Sequence, residues 1–466
     1  MQIKNNDNTL YRGLGLFTST MIVVGVMIGT GVFKKIIPLA QTGLSANYIL
    51  LAWLVAGIIT ILGALNLAAL ATLTSSAGGI YEYLRLAFGN FFSFIYGFTD
   101  FTIIGNASVA AVAYIFAQTI NTLVPLPNPL QSLAHIQLFN FIHPFENSGI
   151  KIVAVSTIII LTLVNYKGVK ETGLLNNIIT ILKILGMLGI IIFGLFIASP
   201  PSNYVFETVK PIETNSLFIA AFFTALLNIL WAYDGWLDIS FLTGEIKNPK
   251  KNLPLAAFIG ISIAAIIYML INYVYMHIVP VQTLAQYSGD TIGAAVVANA
   301  MFGDVGKTLI TVLIMVCVLG SLNGIMLSHT RVYFRMAQEK YFFKQAAYVH
   351  PKFKSPSKAL IFTMVWSCIL VFSGTFDMLT DMIIFASFLF YGMLAVAVLK
   401  FKRNGTIKNN VIAYPLIQII LILFSAALMV NTVIAQPHDA LIGVFLIAIA
   451  VPFYFYFEHH KKILKH

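Results

Sequence analysis

The sequence predicts an all-α membrane protein of twelve spanning helices, and three observations lead to it. Of 466 residues, 59% are hydrophobic and only 10% are charged, with a mean hydropathy of +0.88. A soluble domain carries about 25% charged residues. The apolar residues form continuous runs, and a membrane-spanning helix takes roughly 20 of them. Lysine and arginine collect in alternate loops between these runs. A chain so poor in polar residues cannot cover a globular surface, so lipid must cover it. Closed β-barrels are excluded, because the runs lack the in-out alternation and the ~10-residue spacing of barrel strands. The net charge of +11 lies in short loops between apolar runs, which removes the case for nucleic acid as a partner.

Taken in order, the runs divide the chain. Residues 1–13 are a polar N-terminus, and the apolar run after them is too long for a cleaved signal and has no cleavage site. Five runs, Leu14–Phe33, Ala46–Thr74, Asn90–Val124, Ile150–Asn165 and Leu174–Ala198, make a first set over residues 14–198. Ser216–Leu242, Leu255–Val279, Gly303–Ala337, Ser357–Ser373 and Leu379–Leu399 make a second set over 216–402. Ala413–Val433 and Leu441–Phe457 add two C-terminal helices within 413–457, and 458–466 form the tail. With both termini cytoplasmic, twenty-two of the 28 lysines and arginines lie inside. Five (Lys34, Lys35, Lys151, Lys210 and Lys307) lie outside, and Lys183 falls within the membrane. That asymmetry follows the positive-inside rule, and shifting the helix count by one would scramble it. The expected setting is a multi-pass protein of an inner or plasma membrane.

Glycine interrupts the first and sixth runs at corresponding places. The first carries Gly25-Val26-Met27-Ile28-Gly29-Thr30-Gly31-Val32-Phe33, and the sixth Trp231-Ala232-Tyr233-Asp234-Gly235-Trp236. Each glycine costs a helix about 1 kcal/mol relative to alanine. Small residues also permit close helix packing, so packing and helix breaking are both readings of the pattern. A broken helix offers N–H groups from one half to an anion and carbonyls from the other to a cation. Breaks five helices apart fit a five-plus-five inverted repeat. A zwitterionic amino acid suits such a site. Its carboxylate would meet N–H groups around Thr30, Gly31 and Val32, and its ammonium the carbonyls around Met27, Ile28, Trp231 and Ala232.

At these residues the sequence resembles the amino acid–polyamine–organocation superfamily, and within it the L-amino-acid transporter branch. Gly25–Phe33 resembles that family's first-helix signature. Gly78-Gly79-Ile80-Tyr81-Glu82-Tyr83 with Phe88-Gly89 is similar to its first cytoplasmic loop. Tyr233–Trp236, Gly244-Glu245-Ile246-Lys247-Asn248-Pro249 and Asn252-Leu253-Pro254 resemble the sixth helix and the loop after it. Gly320-Ser321-Leu322-Asn323-Gly324, with Arg331 downstream, resembles the eighth. The resemblance implies a substrate site at Met27, Ile28, Gly29, Thr30, Gly31, Val32, Trp231, Ala232, Tyr233, Asp234, Gly235, Trp236 and Asn323. It also implies alternating access, frequent exchange of one amino acid for another, and an aromatic gate at Trp231. The position after Trp236, often asparagine in this branch or acidic in relatives handling cations, is Leu237, which speaks against a cationic substrate. Leu174–Lys183 resembles the fifth helix, where a lysine in sodium-independent members occupies the space that sodium fills in sodium-driven relatives.

Charge inside a bilayer costs about 2.5–3.5 kcal/mol on insertion scales and marks function by default. Asp100, Lys183, Asp234 and Asp238 are such charges. Asp100 and Lys183 lie at similar depths, roughly 15 and 13 Å at 1.5 Å per residue, so they are able to pair. Lys183, Asp100 and Asp238 are the candidates for coupling. Of nine histidines, only His329 and His277 fall in spans, near their ends, and they suggest no chemistry. No metal-ligand spacing or nucleophile elbow occurs, so neither a metal, another cofactor nor an enzyme is expected. Cys317 and Cys368 both lie in apolar runs, so no disulfide-linked subunit is expected. The expected activity is sodium-independent exchange of neutral L-amino acids. A proton-coupled or cationic amino-acid or polyamine carrier, and a non-transporting sensor, stand as alternatives.

Overall fold

Helices account for nearly all of the computed structural model, which describes residues 10–138, 143–196, 215–289, 291–373, 376–435 and 437–463. The expectations for residues 1–9, Lys210 and the last three residues lie outside the described residues. The chain begins with α1 (Leu16–Met27) and the one-turn α2 (Gly31–Lys34). It continues through α3 (Ala46–Leu70), α4 (Gly79–Phe88), α5 (Asn90–Leu123), α6 (Ser148–Tyr166) and α7 (Val169–Phe196). Next come α8 (Asn215–Tyr233), the one-turn α9 (Asp238–Phe241), α10 (Pro249–Ile278) and α11 (Gly293–Gln338). Last are α12 (Ser357–Val371), α13 (Phe376–Arg403), α14 (Leu416–Ala435) and α15 (Pro437–Ile463). Among the described residues, ten helices are long and apolar enough to cross a membrane, and two apolar helices, Leu217–Tyr233 and Ser357–Val371, are shorter. An isolated parallel bridge joins Leu14 and Ile246.

Local sequence explains several helix boundaries. Pro249 opens α10 at the first turn, where its missing N–H has no intrahelical partner to lose. The long α11 bends at Gly303 (φ 64°, ψ −153°), where the sequence places the start of a span. Within α5, Asp100–Ile104 widen into a π-turn, a local insertion often found at functional sites.

A helix that is apolar all round seeks burial on every side, and α1 shows this. Residues Ser19–Met27 are all buried, against α7, α10 and α11. The outer face of α7 and the peripheral α14 and α15 turn apolar side chains outward, among them Leu185, Leu423 and Phe445. Lipid is the natural cover for such faces.

Polar contacts close each end of the central helices. At the α4 end, Leu14 N–H donates to Glu245 O and Lys247 N–H to Leu14 O, at 3.0 and 2.8 Å. Arg331 of α11 donates there to Glu245 through Nε (2.7 Å) and Nη2 (3.3 Å), with both side chains 1% exposed. Glu82 in the short α4 meets Arg85 at 2.7 Å and Arg335 at 3.3 Å. Burial alone would raise the Glu82 carboxyl, but hydrogen bonds and charge from Arg85 and Arg335 hold it below its usual range. Its contribution to stability is therefore present above the unfolded carboxylate value of about 4.3 and is lost as pH falls through the lowered folded value. At the opposite end, Lys34 and Lys35 are buried rather than looped out, and Lys35 Nζ donates to Thr380 Oγ1 at 3.2 Å.

Removing one partner of a buried ion pair strands the other charge, at a cost of roughly 3–5 kcal/mol. Arg331→Met should therefore lower the melting temperature of the purified protein more than the double change Glu245→Gln, Arg331→Met. Equal melting for the two variants would contradict the pairing.

Candidate functional site

Both expected breaks are present. Ile28 leaves helical geometry (φ −75°, ψ 81°), and helix resumes at Gly31. Gly29 N–H turns back onto Met27 O at 2.8 Å. Among the described backbone hydrogen bonds, none is donated by the N–H of Thr30, Gly31 or Val32. In the other broken helix, α8 ends at Tyr233 and α9 starts at Asp238. Gly235 sits between them at φ +89°, in the left-handed region that costs other residues strain. A Cβ there would press into Val26 Cγ1.

Side chains from three other helices bond the loosened backbone. Lys183 Nζ, on α7 and 0% exposed, donates to Gly25 O (2.7 Å) and Ile28 O (2.9 Å) and lies 3.1 Å from Ser321 Oγ. Ser321 Oγ, on α11, is itself 2.8 and 3.0 Å from the same two carbonyls. From α10, the Tyr268 hydroxyl lies 2.5 Å from Met27 O and 2.9 Å from Ala232 O. One phenol thus spans both breaks. Across them, Trp231 Nε1 donates to Thr30 Oγ1 at 3.2 Å.

Of these groups, Thr30, Trp231 and Ser321 line a cavity of about 30 Å³. Of the expected residues, Met27, Gly29, Thr30, Gly31, Trp231, Asp234, Gly235 and Asp238 line it. Ile28 and Ala232 contribute carbonyls to Lys183 and Tyr268 instead. Tyr233 donates to Trp53 O at 3.2 Å, and Asn323 accepts from Asn165 Nδ2 at 2.8 Å. Trp236 lines a separate space beside α3. Val32 is buried outside the lining.

The acidic residues form a different set from the one expected. Asp100 and Lys183 do not pair. Asp100 Oδ1 lies 2.9 Å from Nδ1 of His329, while Lys183 is committed to the carbonyls of α1. His329, a histidine that suggests no chemistry in the sequence, stands between two carboxylates. It lines the cavity, and its Nε2 lies 3.4 Å from Asp238 Oδ2. It stands near the end of the span Gly303–Ala337, yet it is buried, 5% exposed. Asp234 Oδ1 accepts from the Tyr391 hydroxyl at 2.8 Å. Tyr268 and Tyr391 carry no sequence signal as site residues. Ser321 falls inside the Gly320–Gly324 motif, and His329 is a titratable group inside an apolar run.

The chain matches the family model described as amino acid permease over residues 14–455. It is 30% identical to the serine/threonine exchanger SteT of Bacillus subtilis (strain 168), over 98% of this chain and 99% of that protein. It is 27% identical to the human b(0,+)-type amino acid transporter 1, over 97% and 89% of the two chains. Identity to the human large neutral amino acids transporter small subunit 2 is 28%, over 97% and 82%.

Gly31 serves close packing as well as the break. A Cβ there would stand 2.6 Å from Ala232 Cβ and 2.7 Å from its Cα, and such overpacking typically costs about 1–3 kcal/mol. Gly31→Val should leave protein in the membrane but lower its melting temperature and abolish amino-acid transport. Unchanged melting with normal transport would contradict the close approach of the two breaks.

Proposed function

From a chain that belongs to the amino acid permease family, within the amino acid–polyamine–organocation superfamily, we propose sodium-independent exchange of neutral L-amino acids by alternating access. The layout proposed is twelve spans with cytoplasmic termini, built as a five-plus-five inverted repeat with two further helices. The observation that carries the cation independence is the position of Lys183. Its ammonium bonds Gly25 O and Ile28 O, so a fixed positive charge occupies carbonyls that a bound cation would otherwise take. The amino-acid carboxylate is placed at the N–H groups of Thr30, Gly31 and Val32, and the ammonium at the carbonyl side of the breaks. Trp231 covers the site.

The wall supports neutral side chains of small to medium size, with Met27, Val112, Trp231 and Ile325 apolar and Ser108 and Thr30 hydroxylic. The likeness to the bacterial serine/threonine exchanger supports exchange. A cavity of about 30 Å³ holds no amino acid, so the ends of the central helices must open in turn. Asp234 favours a second reading. It lines the same cavity and would suit a cationic side chain.

Purified protein in liposomes tests both. Uptake of labelled serine, alanine or leucine against internal amino acid should be indifferent to replacing sodium with potassium or choline, and Lys183→Ala should lose it or slow it severely. A sodium requirement or a fully active alanine variant would sink the role of Lys183. Lysine or arginine outcompeting serine, alanine and leucine at equal concentration would transfer the case to the cationic reading.

A further inference from the structure

The exchange scheme gives His329 no task, although its imidazole stands in the cavity wall between two carboxylates. Nδ1 lies 2.9 Å from Asp100 Oδ1 on α5, and Nε2 lies 3.4 Å from Asp238 Oδ2 on α9. A neutral imidazole has a single N–H. Facing two ionised carboxylates, it would aim a lone pair at one of them. A second proton, on the ring or on a carboxyl group, removes that conflict and leaves the three side chains with a net charge of −1.

That residual charge has little to balance it. Asp100, Asp238 and His329 are 0%, 4% and 5% exposed. Among the described ion pairs, neither carboxylate meets a lysine or arginine. Lys183 is bonded to the carbonyls of α1, and Arg331 to Glu245. The remaining neighbours add no positive charge. The Tyr96 hydroxyl reaches Asp100 Oδ1 at 3.3 Å, and that of Tyr333 reaches Asp100 O at 3.1 Å. The Phe241 ring lies edge-on to the imidazole. From the α8–α9 break, Asp234 adds a further carboxyl to the cavity, bonded to Tyr391 of α13. Asp100 Oδ2 is buried without a hydrogen-bond partner, and Asp238 Oδ2 meets His329 Nε2 at 3.4 Å, longer than a good hydrogen bond. A weakly held oxygen in a buried anionic cluster is where one more proton would go.

We propose that Asp100, His329 and Asp238 form a proton-binding site whose occupancy gates the movement of amino acids through the adjoining cavity. Asp100 and His329 belong to long helices, whereas Asp238 begins the one-turn α9 beyond the break at Asp234–Leu237. With both carboxylates ionised, the imidazolium ties α9 to α5 and α11. A proton from solvent, taken up at Asp238, forms the O–H of a neutral acid, weakens that tie and frees α9 to move. The proton returns to solvent when the tie re-forms. Exchange should therefore quicken as pH falls.

The inference rests on the amino-acid exchange proposed above, and the test separates the two. Liposomes holding the full chain and unlabelled L-serine are given labelled L-serine, with the same pH on both sides, between about pH 5.5 and 8.5. Wild-type exchange should rise toward low pH, approaching roughly tenfold per unit where the protonated form is scarce. Asp238→Asn, which imitates the neutral acid, and His329→Gln should give flat profiles at whatever rate they retain. The wild-type profile decides even if a variant fails to fold. Exchange that proceeds at one rate at every pH overturns the gate and leaves the transport function standing. A steep profile surviving in both variants also overturns it, by placing the proton elsewhere. Absence of exchange by serine, alanine and leucine at every pH overturns the gate and the exchange function together.

Discussion

A lysine ammonium shut away from water must be bonded by whatever oxygens the protein supplies. For Lys183 these are Gly25 O, Ile28 O and Ser321 Oγ. The first two are carbonyls that a continuous α1 would have spent on its own ladder. Break and cation thus require each other. The interrupted helix exposes carbonyls that burial would make costly, and the buried charge needs those carbonyls to be tolerated at all. Asn176 and Thr180, on the same helix as Lys183, extend the contact by donating to Met21 O at 3.1 Å each. α7 therefore meets α1 through a polar seam.

The rest of the cavity follows from that seam. With α1 interrupted, Thr30 and Gly31 line a space that Trp231, Asp234 and Gly235 of the other break also line. Tyr268 then holds Met27 O and Ala232 O from one hydroxyl, which fixes the two breaks opposite each other. On the proposed function, this arrangement recognises what all amino acids share and leaves side-chain choice to Trp231, Val112 and Ile325. On the same proposal, opening of the bundle would part polar contacts at its ends, among them Glu245 with Arg331 and Lys35 with Thr380.

Several of these features are legible in the sequence because they are local. A helix break is encoded by adjacent residues, so the glycines of Gly25–Phe33 and Tyr233–Trp236 locate both interruptions. The apolar runs fall on helices for the same reason, and the run beginning at Gly303 starts at the kink in α11. What sequence does not convey is pairing between distant helices. Asp100 and His329 are 229 positions apart, and depth alone made Lys183 an equally reasonable partner for Asp100. Tyr268 and Tyr391 read as core aromatics until their hydroxyls are seen on Met27 O and Asp234. The π-turn at Asp100–Ile104 has no sequence signature, yet Asp100 stands at its start.

The proposed recognition turns on where the amino-acid carboxylate lies relative to the break that Lys183 stabilises. A structure of the protein with L-serine or L-leucine bound measures that directly. The carboxylate oxygens should lie within hydrogen-bond reach, about 2.7–3.2 Å, of the N–H groups of Thr30, Gly31 and Val32, with Lys183 still on Gly25 O and Ile28 O. A carboxylate bonded to the Lys183 ammonium, or an amino acid held away from both breaks, would contradict it.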